Sequence, residues 1–150
     1  MNLLTEKLFP FIGTEHLKLY STLSDMKIFL KENSIKYSVE VWANKECTNP
    51  MPWTIIHIDS VISLFFANDK LFKIVVFEGY IGSLDNGIKT GMLISKALEK
   101  DSSLCYDDWN EDYESDGYWI EEDNATSSVS SISIFIPEVL NDEVFEQYCW

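Results

Sequence analysis

The stretch Ser130-Ser-Ile-Ser-Ile-Phe-Ile136 decides the fold class, because an isoleucine occupies every second position. Successive side chains of a β-strand point to opposite faces of a sheet, so the three isoleucines share one face, and Phe135 lies with the serines on the other. Pro137 follows, and a residue without a backbone N–H ends the pairing there. The pattern predicts a strand with one face against a hydrophobic core.

The residues upstream predict further strands of the same sheet. Ile35 to Ala43 alternates between apolar and polar residues and predicts a half-buried strand, whereas the next three segments are apolar and β-branched. Asn68-Asp69 predicts a tight hairpin turn between two of them, so this region is an antiparallel meander. The other predicted strands run from Thr54 to Ile58, Val61 to Ala67, Leu71 to Glu78 and Tyr118 to Glu121.

The helical patterns are shorter and lie apart from the strands. Thr14 predicts the N-cap of a helix that continues to about Glu32, with Ser21, Ser24 and Asp25 as points where it could divide. Met92 to Lys100 predicts a short helix with Leu93, Ala97 and Leu98 on its apolar side, and Glu138 to Tyr148 favours another. The glycines between Gly79 and Gly91 predict turns. We therefore expect an α+β fold, with an antiparallel sheet of about six to seven strands, an N-terminal helix and one or two short helices.

The composition indicates one folded domain spanning residues 1–150. Of the 150 residues, 46% are hydrophobic and 14% aromatic, which is enough to form a core. The first residues lack the features of a signal peptide, and no stretch approaches the length of a membrane span. Cys47, Cys105 and Cys149 form no CxxC pair, which favours reduced thiols. We expect a cytoplasmic protein.

The charge is distributed unevenly along the chain. Through Lys100 there are 11 acidic residues and 11 lysines, whereas the remaining residues contain 14 acids and no base, so the net charge of −14 lies in the last third. There is no arginine. Such a field repels nucleic acid and anionic membranes, and it attracts a basic protein at a rate that falls as the salt concentration rises.

The acidic residues concentrate between Asp101 and Asp123, where ten carboxylates alternate with five Trp and Tyr side chains. Like charges this close repel each other and gain nothing for the fold. Disordered acidic tails are poor in aromatics, so the rings favour a binding face on which carboxylates pair with Lys or Arg and rings supply buried area. The alternative is a solvated acidic loop with some rings tucked into the core.

Calcium binding is a second interpretation of this segment. Asp112 to Asp123 follows the spacing of an EF-hand loop, with Gly117 at its sixth position. Glu114 is too long for position three, Asp123 is too short for bidentate ligation at position twelve, and no helical pattern follows. We expect no specific metal site and no cofactor.

Catalysis is weakly indicated. His57 and Asp59 lie two apart on a predicted strand and would share one face, an arrangement that can orient an imidazole. No nucleophile motif accompanies them, and a structural role for His57 is the stronger interpretation. The many carboxylates give no reason to choose two for acid–base chemistry. We therefore expect the protein not to be an enzyme.

The order of several motifs resembles small immunity proteins encoded beside bacterial polymorphic toxins, including those of contact-dependent growth inhibition. The resemblance covers roughly residues 79–139. The motifs are Asn86-Gly87-Ile88-Lys89-Thr90-Gly91-Met92, a short amphipathic helix, Tyr106-Asp107-Asp108, Gly117-Tyr118-Trp119 and an alternating strand that ends in Ile136-Pro137. It implies a small, cytoplasmic, non-enzymatic protein that binds a cognate toxin domain.

The resemblance also implies a mechanism. Many such toxins are nucleases, whose substrate sites are basic because they bind phosphates, so the acidic face would occlude that site, with Trp109 and Tyr113 as buried anchors. The rival interpretation is an acidic adaptor or nucleic-acid mimic that regulates a host DNA- or RNA-binding protein. The residues expected to contact the partner are Asp107, Asp108, Trp109, Glu111, Asp112, Tyr113, Glu114, Asp116, Tyr118, Glu121 and Glu122.

Overall fold

A computed structural model describes residues 1–43, 52–141 and 143 of the chain. The described residues contain two α-helices, eight β-strands and two short 3-10 helices at Leu3–Thr5 and Pro137–Leu140. The α-helices are α1 (Leu23–Glu32) and α2 (Ile94–Lys100). The strands are β1 (Ser38–Trp42), β2 (Trp53–Ile58), β3 (Ile62–Ala67), β4 (Lys70–Phe77), β5 (Cys105–Asp107), β6 (Asp112–Ser115), β7 (Tyr118–Asp123) and β8 (Ser128–Phe135).

The strands form one antiparallel sheet in the order β1-β2-β3-β4-β8-β7-β6-β5. Two meanders, β1 to β4 and β5 to β8, meet where β4 pairs with β8, and Ile74 lies opposite Ile134 in that pairing. The alternating stretch at Ser130 therefore occupies the centre of the sheet. The α+β class and the antiparallel arrangement are confirmed, but the sheet has eight strands rather than six to seven.

The hydrophobic core lies on one face of this sheet. The isoleucines of β8 and the apolar residues of β2, β3 and β4 that share their face are almost completely buried. Met26 and Leu30 of α1 and Ala97 of α2 belong to the same cluster. Burying each large aliphatic side chain contributes about 1.5–3 kcal/mol, so this face provides most of the driving force for folding.

The second face is partly buried as well. Phe135 is fully buried although it points away from the isoleucines. Its ring contacts Phe11 edge-on, with 6.3 Å between ring centroids, and Trp119 at 4.4 Å. Pro10 and Phe11 also pack so closely on Gly117 that a Cβ there would lie 2.7 Å from Pro10. The N-terminal segment thus covers part of the face opposite the core.

The N-terminal helix is shorter than predicted. It begins at Leu23, and Thr22 is its N-cap, with the side-chain oxygen accepting a hydrogen bond from the Asp25 amide at 3.1 Å. The expected N-cap, Thr14, instead accepts a hydrogen bond from the Leu17 amide in an irregular segment. Leu17 and Leu19 are buried there without helical structure. Helical spacing alone does not separate a helix from a loop that buries the same residues.

Strand β1 also departs from the prediction. All five of its residues are exposed, including Val41 at 69% and Trp42 at 40% exposure, so it is not half-buried. It pairs with β2 along its full length but is the last strand on its side of the sheet. An edge strand can keep its backbone hydrogen bonds while its side chains extend beyond the helices that cover the core.

Other predicted elements agree closely with the structure. The strands expected at Thr54, Val61 and Leu71 correspond to β2, β3 and β4. Asn68 and Asp69 form the turn between β3 and β4, with φ angles of 51° and 53°.

The two shorter helical predictions are only partly correct. Leu93 is the exposed N-cap of α2 rather than part of its apolar side. Where the sequence predicts the C-terminal helix from Glu138 to Tyr148, the structure has a 3-10 helix at Pro137–Leu140, and the expectation for 142 and 144–148 lies outside the described residues. Among described helices, none is long and apolar enough to cross a bilayer.

Candidate functional site

Residues 101–123, which we name the acidic meander, form three short strands at one end of the sheet. Strand β7 pairs with β8, β6 pairs with β7, and β5 pairs with β6 at the outer edge. The two outer strands have three and four residues and lack apolar alternation, which is why the sequence did not predict them. The acidic residues are therefore arranged on a sheet rather than in a loop.

We call the end of the acidic meander that adjoins α2 its root. Asp101, directly after α2, holds this end in place. Its carboxylate accepts hydrogen bonds from the Ser103 amide at 2.9 Å and the Ser103 hydroxyl at 2.6 Å, and from the hydroxyls of Ser115 and Tyr118. These donors favour the charged form, so the pKa of Asp101 falls to about 2, with the Ser103 hydroxyl as the largest cause and Tyr118 next. Sequence reasoning did not single out Asp101, although an Asp followed two residues later by Ser is a known turn signal.

The tip of the acidic meander is the turn between β5 and β6. Asp107 organises it, because its Oδ1 accepts hydrogen bonds from the Trp109 amide at 2.8 Å and the Asn110 amide at 3.1 Å. Glu111 closes the turn with a φ angle of 55°. Trp109 projects from this turn with 92% of its surface exposed, more than any other large hydrophobic residue of the described chain. Asp108 and Glu111 beside it are also exposed.

Four carboxylates share one face of the acidic meander. Asp107 pairs with Asp112 across the strands, and the register of β6 and β7 brings Glu121 next to Asp112 and sets Glu114 opposite Trp119. Asp112 is only 7% exposed, and its Oδ1 accepts no hydrogen bond from any described residue. Burial raises the pKa of Asp112 to about 7, and the nearby charges of Glu114, Asp107 and Glu121 add to the effect.

A lysine bounds this acidic face where it meets the centre of the sheet. Lys73 of β4 lies with its ammonium 4.4 Å from the ring centroid of Phe65 and 5.6 Å from that of Trp53. Burial lowers the pKa of Lys73, and the charge of Glu121 opposes that shift. The aromatic rings and Glu121 therefore compensate for the burial of this cation.

The opposite face of the acidic meander is aromatic at its edge. Tyr106 of β5 packs against Tyr113 of β6 with 5.1 Å between ring centroids, and Tyr106 remains half exposed. Beside Tyr106 lies an open, mostly polar pocket of about 330 Å³. Its lining residues are Tyr106, Asn110, Glu111, Glu121, Glu122 and Asn124. A ring with carboxylates around it is suited to an incoming Lys or Arg side chain.

The structure places the predicted contact residues on both faces of the acidic meander, and it corrects the prediction for Asp112 and Tyr118, which are buried. Tyr118 is only 4% exposed and donates its hydroxyl hydrogen bond to Asp101, so it holds the root and is not available to a partner. Asp116 is exposed in the turn before β7, and Glu121 is exposed along it. Tyr106 was not predicted as a contact residue, although its exposed ring belongs to the same surface.

Within the described residues, neither the calcium-binding loop nor the catalytic pair that the sequence suggested is formed. Asp112 to Asp123 is a β-hairpin, so it does not form the loop of an EF-hand. His57 is bound on both ring nitrogens, with Nδ1 at 2.8 Å from Ser63 Oγ and Nε2 at 2.8 Å from Glu40 Oε2. Asp59 lies beyond the end of β2 with a φ angle of 52°, and the described partners of His57 are Ser63 and Glu40, as the preferred structural role of this histidine predicts. Cys105 is a free, exposed thiol, and the other two cysteines lie outside the described residues.

Comparisons with known proteins bear on the fold. No protein-family profile matches the chain. No curated protein matches it. A crystal structure of the uncharacterized protein yfeY from Escherichia coli is similar, with a TM-score of 0.54 over 86% of this chain and 99% of that chain. The two sequences are 14% identical, so the similarity extends to the fold alone.

Proposed function

We propose that this protein is a non-enzymatic immunity protein, which binds and neutralises a cognate bacterial toxin domain through its acidic meander. The toxin domain would be basic, as the substrate site of a nuclease is. One observation carries the proposal: Trp109 is 92% exposed at the tip of a surface that consists mainly of carboxylates. Exposing a tryptophan to water is unfavourable, and tryptophan is enriched among the residues that dominate interface energies.

The arrangement of the tip supports this role. Asp107 holds the backbone on both sides of Trp109 through hydrogen bonds of 2.8 and 3.1 Å, so little loop ordering would oppose binding. Trp109 would enter a pocket of the toxin domain. Asp108, Glu111 and Asp116 would pair with its Lys and Arg side chains at the rim, where they mainly steer association.

The pair of tyrosines supports a second contact beside the tip. Tyr113 packs against Tyr106 and keeps its ring in place, and the lining of the pocket next to Tyr106 includes Glu111 and Glu122. A basic side chain of the toxin could lie against the Tyr106 ring there while the carboxylates accept its hydrogen bonds. Occlusion of the toxin's phosphate-binding residues would then block its activity.

The test is recovery of the partner. The tagged protein is expressed in its native host beside two variants, Trp109→Ala and Trp42→Ala. Trp42 is the matched control, because it is an exposed tryptophan at the other edge of the sheet. We expect the wild-type protein and Trp42→Ala to recover a small basic domain in stoichiometric amount at both low and moderate salt. The Trp109→Ala variant should not recover it.

Other outcomes would contradict the proposal in different ways. Several DNA-binding proteins that elute with moderate salt would instead favour an acidic adaptor or nucleic-acid mimic, because purely electrostatic contacts weaken steeply with salt. Equal loss with Trp109→Ala and Trp42→Ala would contradict the assignment of the acidic meander. Recovery of no partner at either salt would remove the basis for a binding function of this face.

A further inference from the structure

A second cluster of charged groups lies where the N-terminal segment meets the irregular loop before α1. Glu6, Glu15 and His16 each present one possible metal-ligating atom, and the three atoms lie within 4.8 Å of one another. The cluster borders an open cavity of about 620 Å³, which Asn2, Lys7 and Phe9 also line. None of these residues belongs to the acidic meander.

Glu6 is held in place before any ligand arrives. It is buried, and its Oε2 accepts hydrogen bonds from the Thr14 hydroxyl at 2.5 Å and from the His16 amide at 3.1 Å. Its backbone carbonyl accepts a further hydrogen bond from the Tyr80 hydroxyl at 2.9 Å. These contacts fix both ends of the residue, so its carboxylate is a preorganised acceptor.

His16 is oriented from two sides. Its Nδ1 lies 2.5 Å from Oε1 of Glu6, and its ring stacks on Phe29 of α1, with 6.0 Å between centroids and 17° between planes. The stacking contact and the carboxylate together fix the orientation of the ring before an ion binds.

The other histidine of the chain provides an internal comparison. His57 also contacts a glutamate, Glu40, but its second nitrogen is taken by Ser63. Within the described part of the chain, His16 alone has a second carboxylate, that of Glu15, within ligand distance. Two carboxylates beside one imidazole offer three ligand atoms to a cation, whereas the His57–Glu40 pair offers two.

We propose that Glu6, Glu15 and His16 form a binding site for a divalent transition-metal ion of the zinc class. Imidazole nitrogen with carboxylate oxygens suits zinc, copper or nickel, and it disfavours calcium, which takes oxygen ligands. Three protein ligands leave a position for water or another ligand on the side of the cavity. The site ties the N-terminal segment to the loop that precedes α1.

The distances require a small adjustment on binding. A tetrahedral ion with bonds of about 2.0–2.1 Å holds two ligand atoms about 3.3 Å apart. The contact of 2.5 Å between Glu6 Oε1 and His16 Nδ1 must therefore open by less than 1 Å so that both atoms bind the ion.

The experiment follows both histidines in one sample. The full-length protein, labelled with ¹⁵N, is titrated with Zn²⁺ at moderate salt in the presence of excess Mg²⁺, which occupies weak sites on the acidic meander. Long-range ¹H–¹⁵N spectra report the ring nitrogens of His16 and His57. We expect a ring nitrogen of His16 to shift and saturate at one equivalent of zinc, while His57 is unchanged.

Substitutions identify the ligands without removing the stacked ring. Glu15 is exposed, so Glu15→Gln should fold normally and weaken zinc binding at least about tenfold. Glu40→Gln is the matched control at the other histidine and should leave zinc affinity unchanged. An absence of His16 shifts up to about 1 mM zinc, or equal shifts of both histidines, would overturn the site. Unchanged affinity in Glu15→Gln would overturn the three-ligand assignment.

Discussion

The root and the tip of the acidic meander contain the same residue types in opposite states. At the root, Asp101 accepts hydrogen bonds from three hydroxyls and an amide, and its pKa falls to about 2. Toward the tip, Asp112 is buried among Asp107, Glu114 and Glu121, and its pKa rises to about 7. The difference shows that an acidic stretch is not uniform: the carboxylate of Asp101 contributes to folding, whereas Asp112 has a buried oxygen that no described residue satisfies.

The aromatic residues repeat this difference. Tyr118 at the root is 4% exposed and hydrogen-bonded to Asp101, whereas Trp109 at the tip is 92% exposed. Both were predicted as contact residues from the same local composition. The burial of Tyr118 assigns it to the fold, and the exposure of Trp109 leaves it available for a partner.

The largest expected effect is on binding at the tip. Trp109→Ala should weaken the affinity for the recovered partner by at least about 2 kcal/mol, or about 30-fold in Kd. The free energy of unfolding should change by less than about 0.5 kcal/mol, because an exposed side chain contributes little to the fold. Calorimetric titration and urea unfolding measure the two quantities. Unchanged affinity, together with loss of binding on Asp-to-Asn changes at the tip, would show that Trp109 is not the anchor.

A change at the root should affect stability instead. Asp101→Asn should lower the free energy of unfolding at pH 7 by about 1 kcal/mol, because the lowered pKa of Asp101 makes its charged form stabilising and solvent screens part of that gain. That contribution is present above the unfolded pKa of about 4 and is lost as the pH falls through about 2, so the two proteins should converge in acid. Urea unfolding across this pH range tests it, with the exposed Asp116→Asn as control.

The opposite pH dependence is expected at Asp112. Because the pKa of Asp112 is raised to about 7, its carboxylate must either bind a proton on folding or be buried in its charged form. The resulting loss of folding free energy begins near pH 4, grows to about pH 7 and is constant above that pH. Asp112→Asn should therefore raise the free energy of unfolding by about 1–2 kcal/mol at pH 8, with no difference at pH 4. A variant less stable than wild type at pH 8 would show that the buried carboxylate is satisfied in solution.

The smallest effect is expected for a single exposed carboxylate at the tip. Asp108→Asn should weaken binding by about 0.5–1 kcal/mol, mainly through a slower association rate and a weaker dependence on salt. Stopped-flow association at several salt concentrations measures both. A change confined to the dissociation rate would indicate that Asp108 is buried in the complex rather than at its rim.

The local pattern was sufficient for the elements that pair along the chain. Strict alternation at Ser130–Ile136 predicted β8, and the β-branched runs predicted β2, β3 and β4. Asn68-Asp69 predicted the turn between β3 and β4. Each of these features has a short-range cause, either the two-residue period of a strand or a backbone conformation that few residues adopt. The class of the fold and the acidic, aromatic composition of the candidate site follow from such features.

The remaining features depend on contacts between distant residues. Leu17 and Leu19 are buried by the core without a helix, and β1 is exposed because it ends the sheet. Asp101 meets Ser115 and Tyr118, and Glu6 meets His16, only after the chain has folded. Burial, hydrogen bonding and neighbouring charge set the state of a carboxylate, and each of them depends in part on residues far apart in the chain, as Tyr118 is from Asp101. Local sequence therefore indicates where the acids are, and long-range packing sets which of them stabilise the fold and which remain available for a ligand.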